Sequence, residues 1–259
     1  MHSLRPHPVI LATALLAGSL PAFASDSSLN TFHVAEAWTQ HCCWDNPWNI
    51  VLQQGAGDYS VNSWNASGSA SGQASFGQLS ASTAGSVAMP GYTYGKGFGS
   101  VRDWWVDTFT ITSTTLAAGT PVQLQVGITM QVDTQTSGAG AQAHALAVVG
   151  TGLDAGWWVG LDTRVLGDGD LQTTYLYNTW VGASFTLVGQ LNALGYVESA
   201  TGTASTTADA RFTFDSLTAG AGYRTASGSS YVSAVPEPGS WALMAAGLVA
   251  VGRLARRRG

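Results

Sequence analysis

The stretch Pro121-Val122-Gln123-Leu124-Gln125-Val126-Gly127-Ile128-Thr129-Met130-Gln131-Val132 decides the fold. Val122, Leu124, Val126, Ile128, Met130 and Val132 alternate with Gln123, Gln125, Gly127, Thr129 and Gln131. Successive side chains of a strand point to opposite faces. Eleven residues of strict alternation therefore predict a strand with one face in a core and the other in water. Ser137 to Gly140 follow as a turn, and Ala141 to Val149 read as the returning arm of a long antiparallel hairpin.

Working outward, Asp103 to Thr112 is rich in aromatic and β-branched residues and places Trp105, Asp107, Phe109 and Ile111 on one face. Further strands are predicted near Gly156 to Leu161, Leu171 to Tyr177, Val181 to Val188, Gly195 to Ser199, Ala210 to Phe214 and Gly222 to Val232. Gly, Asp and Asn punctuate them at intervals of roughly ten residues. No long segment repeats apolar residues at helical spacing. The reading is an all-β domain, an antiparallel two-sheet β-sandwich of jelly-roll or immunoglobulin-like type. Val61 to Gly91 is dominated by Ser, Gly and Ala and reads as exposed edge strands and loops. Residues 25–91 are thus the least patterned part of the domain.

Both ends of the chain carry a different signal. Met1 to Ala24 combines a lightly basic start, an apolar run from Val9 to Leu20, and Ala22-Phe23-Ala24 before Ser25. That is the pattern of a signal peptide with a signal peptidase site between Ala24 and Ser25. At the other end, Val235-Pro236-Glu237-Pro238 is stiff and extended, because each proline restricts itself and the residue before it. Trp241 to Gly252 follows without a charge, and then Arg253, Arg256, Arg257 and Arg258. About twelve apolar or small residues fall short of the roughly 20 that cross a bilayer comfortably. A basic cluster at their end prefers the cytoplasmic side, and its long side chains can snorkel. The expectation is a short hydrophobic helix that acts as a transient inner-membrane stop, with the domain outside.

Pro-Glu-Pro, a short apolar segment and a terminal arginine cluster together resemble the PEP-CTERM sorting signal of Gram-negative bacteria. The resemblance implies recognition by an exosortase-type membrane protease, with cleavage near Pro236-Glu237-Pro238. It also implies an association with exopolysaccharide and biofilm material. It covers residues 235–259 and implies nothing about the fold of residues 25–234.

That middle segment holds five basic against fourteen acidic residues, a net charge near -9 that the whole-chain value of -5 conceals. An acidic surface repels phosphate backbones, so nucleic acid is excluded as a partner. Adjacent Cys42 and Cys43 lie among three tryptophans, Trp38, Trp44 and Trp48. A vicinal or structural disulfide, free or intermolecular thiols, a metal site with His41 at a spacing that zinc sites do not favour, and a catalytic cysteine for which no partnered base is evident are the readings left open. Trp104-Trp105 and Trp157-Trp158 are candidate ligand-facing aromatics, because alternation sends one ring of each pair inward and the other outward. Asp168-Gly169-Asp170 offers oxygen ligands at a glycine turn. It lacks the further acidic positions and terminal Glu of a calcium loop, and Asp-Gly-Asp also suits a plain turn.

No catalytic constellation is legible. His33, His41 and His144 stand near no nucleophile elbow, and Glu36 and Glu198 are the only glutamates before the tail. No cofactor and no metal is expected. The expected function is a non-enzymatic envelope or extracellular-matrix protein, structural or adhesive. A carbohydrate-binding module and a secreted hydrolase are the alternatives.

Overall fold

The computed structural model describes residues 32–41, 49–55, 59–65, 68–88, 95–151, 158–199 and 201–232, with backbone alone for the first three segments and Trp158. In chain order these form β1 (Phe32–His41), β2 (Asn49–Gly55), β3 (Tyr59–Asn65), β4 (Gly68–Ser75), β5 (Gln78–Ala88), β6 (Lys96–Ser113) and β7 (Pro121–Ser137). There follow β8 (Ala141–Thr151), β9 (Trp158–Asp162), the single helical turn α1 (Thr163–Leu166), β10 (Gly169–Trp180), β11 (Ser184–Glu198), β12 (Thr201–Ser216) and β13 (Ala221–Thr225). Every pairing is antiparallel.

The strands make two sheets. Seven strands form the first in the order β2-β1-β6-β11-β8-β9, with β13 beside β6 beyond the end of β1. Six form the second in the order β10-β7-β12-β5-β4-β3. The sheets share a core in which Trp105 and Phe109 of β6 and Leu187 and Leu191 of β11 meet Ile128 and Met130 of β7 and Phe212 and Phe214 of β12.

β7 forms as its alternation predicts, with Val122, Leu124, Val126, Ile128, Met130 and Val132 all buried. The hairpin expected after it does not form. Gly138 (φ 92°) and Gly140 (φ 71°) adopt left-handed backbone conformations, and the chain steps across to the other sheet. β8 pairs with β11 and β9, while both sides of β7 are taken by β12 and β10. Two of the expected strands also prove to be one: β11 runs unbroken from Ser184 to Glu198. Its glycines are places of close contact, not turns. A Cβ on Gly195 would lie 2.9 Å from the Ala204 carbonyl oxygen, and one on Gly189 would enter the Trp105 indole.

The segment read as exposed edges and loops is corrected in the same way. β3 is an edge strand, but β5 lies inside the sheet between β12 and β4, with Leu79, Ala81, Thr83, Gly85 and Val87 turned inward. The reason is a taper. At one end of the stack, aromatic rings hold the sheets apart, with ring centroids 4.7 Å apart for Phe109–Phe214, 5.5 Å for Trp105–Phe212 and 5.1 Å for Phe109–Tyr231. At the other end the backbones almost touch. A Cβ on Gly85 would fall 2.7 Å from the Gly97 carbonyl oxygen and 2.8 Å from that of Gly195, both in the opposite sheet. Low-complexity sequence here is the requirement of a narrow interior.

Candidate functional site

The crossover between the sheets at β9 and β10 is set by one carboxylate. Asp162, 5% exposed, caps α1 by accepting from the Arg164 backbone N–H at 2.9 Å, and it grips the Arg164 guanidinium through Nη2 at 2.6 Å and Nε at 3.0 Å. Burial works to raise the Asp162 carboxyl, but the hydrogen bonds and charge of Arg164 outweigh it and hold the group below its ordinary range. Thr163 Oγ1 accepts from the Ala145 N–H at 3.0 Å, which ties the turn to β8. Burial lowers His144, the Arg164 charge adds to this, and Asp162 opposes it. These groups build a corner and fix where β10 begins.

Asp168, one of the two calcium candidates, is occupied by the neighbouring strand. Its Oδ2 accepts from the Thr134 hydroxyl at 2.6 Å and the Thr134 N–H at 3.1 Å. Asp170 projects onto the outer surface of β10. Among the described residues no three His, Cys, Asp or Glu side chains gather closely enough to hold a metal ion.

The tryptophan expectation needs correction. Trp105 is fully buried in the shared core and Trp104, on the opposite face of β6, is only 4% exposed. Alternation does send the rings to opposite sides, but Trp104 is covered there together with Val106 and Val188. Trp157 lies outside the described residues, and Trp158 is described only as backbone in β9. Among the described side chains the tryptophan that faces solvent is Trp180, at the end of β10 and 57% exposed.

Two buried aspartates on β6 escaped the sequence as sites, although Asp107 was placed on the core face. Asp107 accepts from Tyr231 Oη at 2.9 Å, from the Ser227 N–H at 3.1 Å and from the Ser227 hydroxyl, which ties the last described segment to the core. Burial, and then the charge of Asp107, push the Tyr231 phenol up. Asp103 has no such company. It is 0% exposed, faces Gly72 of β4, and among the described residues neither carboxyl oxygen has a hydrogen-bond partner. Burial pushes it up to about 8. The Gln73 backbone N–H offsets this only in part, without closing a proper hydrogen bond. An interior group of this kind is out of reach of a substrate.

What the fold does present is the outer face of the six-stranded sheet. Pairing registers align Asp170, Gln131, Asp209, Ser80 and Gln73 in one row across β10, β7, β12, β5 and β4. The next row runs through Asp133, Thr207, Ser82 and Ser71. Two shallow depressions lie here. One is lined by Thr129, Gln131, Asp170 and Gln172 and the other by Ser71, Gln73, Ser80 and Ser82, with Asp209 shared between them. The surface is broad, and its lining is hydroxyl, amide and carboxylate. The wet half of the alternation in β7 was its signal in the sequence, and parts of β10 and β12 were expected as strands; that these two flank β7, and that β5 and β4 continue the sheet, was not legible.

Cys42, Cys43, the signal peptide expected at residues 1–24 with its cleavage site at Ala24 and Ser25, and the tail from Val235 to Gly259 lie outside the described residues. No helix among the described residues is long and apolar enough to cross a membrane. A PEP-CTERM protein-sorting motif matches residues 234–258. No curated protein and no solved structure matches the chain. The motif identifies a PEP-CTERM protein: exosortase is its processing partner, and its destination is the cell envelope or the extracellular space.

Proposed function

We propose that this PEP-CTERM protein is a structural or adhesive component of the extracellular matrix, non-enzymatic, whose six-stranded sheet lies against exopolysaccharide. The observation that carries the reading is the outer face of that sheet, where Gln73, Ser82, Gln131, Gln172, Thr207 and Asp209 form an open polar plane across five strands. Hydroxyl and amide groups exchange hydrogen bonds with sugar hydroxyls at little net cost, and a flat plane suits a polymer better than a single small molecule. Between β5 and β8, and again from β10 to β13, each successive strand crosses to the opposite sheet. This supports the jelly-roll alternative, since immunoglobulin-like sandwiches pair several consecutive strands within one sheet.

Cosedimentation of the exported protein with the host's own extracellular polysaccharide tests this. Retention should fall about tenfold when Gln131 and Gln172 are both changed to Ala, the loss of two or three polar contacts. Absence of cosedimentation by the unaltered protein would reject the polysaccharide reading and leave the sorting route intact. A carbohydrate-binding module is the second reading, favoured by Trp180, whose exposed ring stands on the same face beside Asn178 and Gln123 (Gln123 Nε2 donates to Asn178 Oδ1 at 3.1 Å). In that case Trp180→Ala, and not the glutamine pair, abolishes binding.

A further inference from the structure

The open side of the stack at β10 is built as an edge that natural sheets avoid. Among the described residues β10 pairs only with β7, and no backbone hydrogen bond from another strand closes its other side. An edge strand offers a row of unpaired N–H and C=O groups, and proteins blunt it with short length, Lys, Pro or a bulge. β10 has none of these devices. It is 12 residues long, its register with β7 is continuous from Gly169 to Trp180, and after Asp170 it carries no charge and no proline.

Exposed apolar side chains gather at the same place. Seven large hydrophobic side chains are exposed among the described residues, and five of them, Val165, Leu166, Tyr175, Leu176 and Trp180, lie on α1 or β10. Such a concentration marks a contact surface, whereas single exposed apolar residues need no explanation.

We propose that β10 is a self-association edge, along which a second copy of this chain adds its own β10 antiparallel about a twofold axis. A strand is the occupant because only an extended backbone satisfies a ladder of alternating donors and acceptors. The strand is compatible with itself. Pairing centred on Tyr175, from Asp170 to Trp180, places Gln172 against Asn178 and Thr174 against Leu176 on the outer face, in amide and apolar cross-strand pairs. The strand's one charge, Asp170, then meets Trp180 of the second copy, and the two carboxylates sit at opposite ends of the seam, roughly 30 Å apart. Two six-stranded sheets become one continuous sheet, and the polar plane doubles in extent. Isologous contacts of this kind are the commonest in soluble oligomers.

Sedimentation of the exported protein over a wide concentration range, with amide hydrogen exchange at both extremes, tests the seam. A dimer is expected, with amide protection at residues 169–180 that grows with concentration. Leu176→Lys should weaken association about tenfold or more by placing two like charges near the axis. Thr207→Lys, in the middle of the outer face, should leave it unchanged and controls for the added charge. A monomer at every concentration, protection that maps elsewhere, or a dimer that survives Leu176→Lys would each overturn the proposal. Added polysaccharide that protects no β10 backbone amide separates this edge from glycan binding by Trp180.

Discussion

Asp103 and Asp107 stand on one strand, on one face, a single turn of the pleat apart from Trp105, yet they carry opposite consequences. Asp107 is ringed by donors, and removing it would strand the hydroxyls of Ser227 and Tyr231. Asp103 is a carboxyl in the dry interior, raised from 3.8 to about 8 by burial. Its linkage to folding has a definite sign. Below pH 3.8 it is protonated in both states and exerts no pH-dependent effect. As pH rises from there towards 8 the unfolded chain ionises while the folded one holds its proton, so stability is lost across this window and levels off above it. The loss is on the order of 5 kcal/mol. Asp103→Asn keeps the shape and removes the charge, so the variant should match the wild type near pH 4 and exceed it by a few kcal/mol at pH 8. Urea unfolding at both pH values checks this, and equal stability at pH 8 would show that the carboxyl is not protonated in the fold.

Among the elements, β4, β5 and the first half of β12 show how composition misleads. Thr-Gly-Thr-Ala-Ser-Thr-Thr-Ala from Thr201 to Ala208 has no visible hydrophobic stripe, yet Ala204, Thr206 and Ala208 are buried. Small side chains are what a narrowing gap admits, and the same interior strand ends in Phe212 and Phe214 where the gap opens. Gly85→Ala therefore forces a methyl against two backbone carbonyls that cannot rotate away, and should cost about 2 to 3 kcal/mol. Gly222→Ala is the control: its nearest neighbour would be Thr112 Oγ1 at 4.0 Å, and its effect should stay within about 0.5 kcal/mol. Chemical denaturation of the two variants decides it. A Gly85→Ala protein as stable as its control would mean that the sheets do not approach as closely as the taper requires.

For the whole molecule, the sorting motif and the sheets act in succession. Export brings an acidic, sparsely charged domain to a surface, and the motif at residues 234–258 hands its tail to exosortase. Intact mass and fractionation from the native host should find the protein outside the cell, shortened at the N-terminus by residues 1–24 and at the C-terminus near Pro236-Glu237-Pro238. In a host without exosortase it should be retained with its tail complete. Release of a complete tail in the unaltered host would contradict processing at that motif.

The sequence by itself determined the class of the fold, the course of β7 and the inward set on β6, because period-two alternation depends only on which way successive side chains point. It also determined the sorting route, since a linear signal is read as an extended segment. The tertiary structure alone decided the partners of each strand. Whether a turn such as Ser137 to Gly140 closes a hairpin or crosses to the other sheet depends on which edges are already filled, and that competition is invisible along the chain. It likewise decided which of the described tryptophans meets solvent, because Trp104 and Trp180 are told apart only by what packs above them. The isolation of Asp103 is of the same kind: a buried carboxyl has its character from neighbours distant in sequence, and here it faces a glycine, Gly72, which offers no side chain.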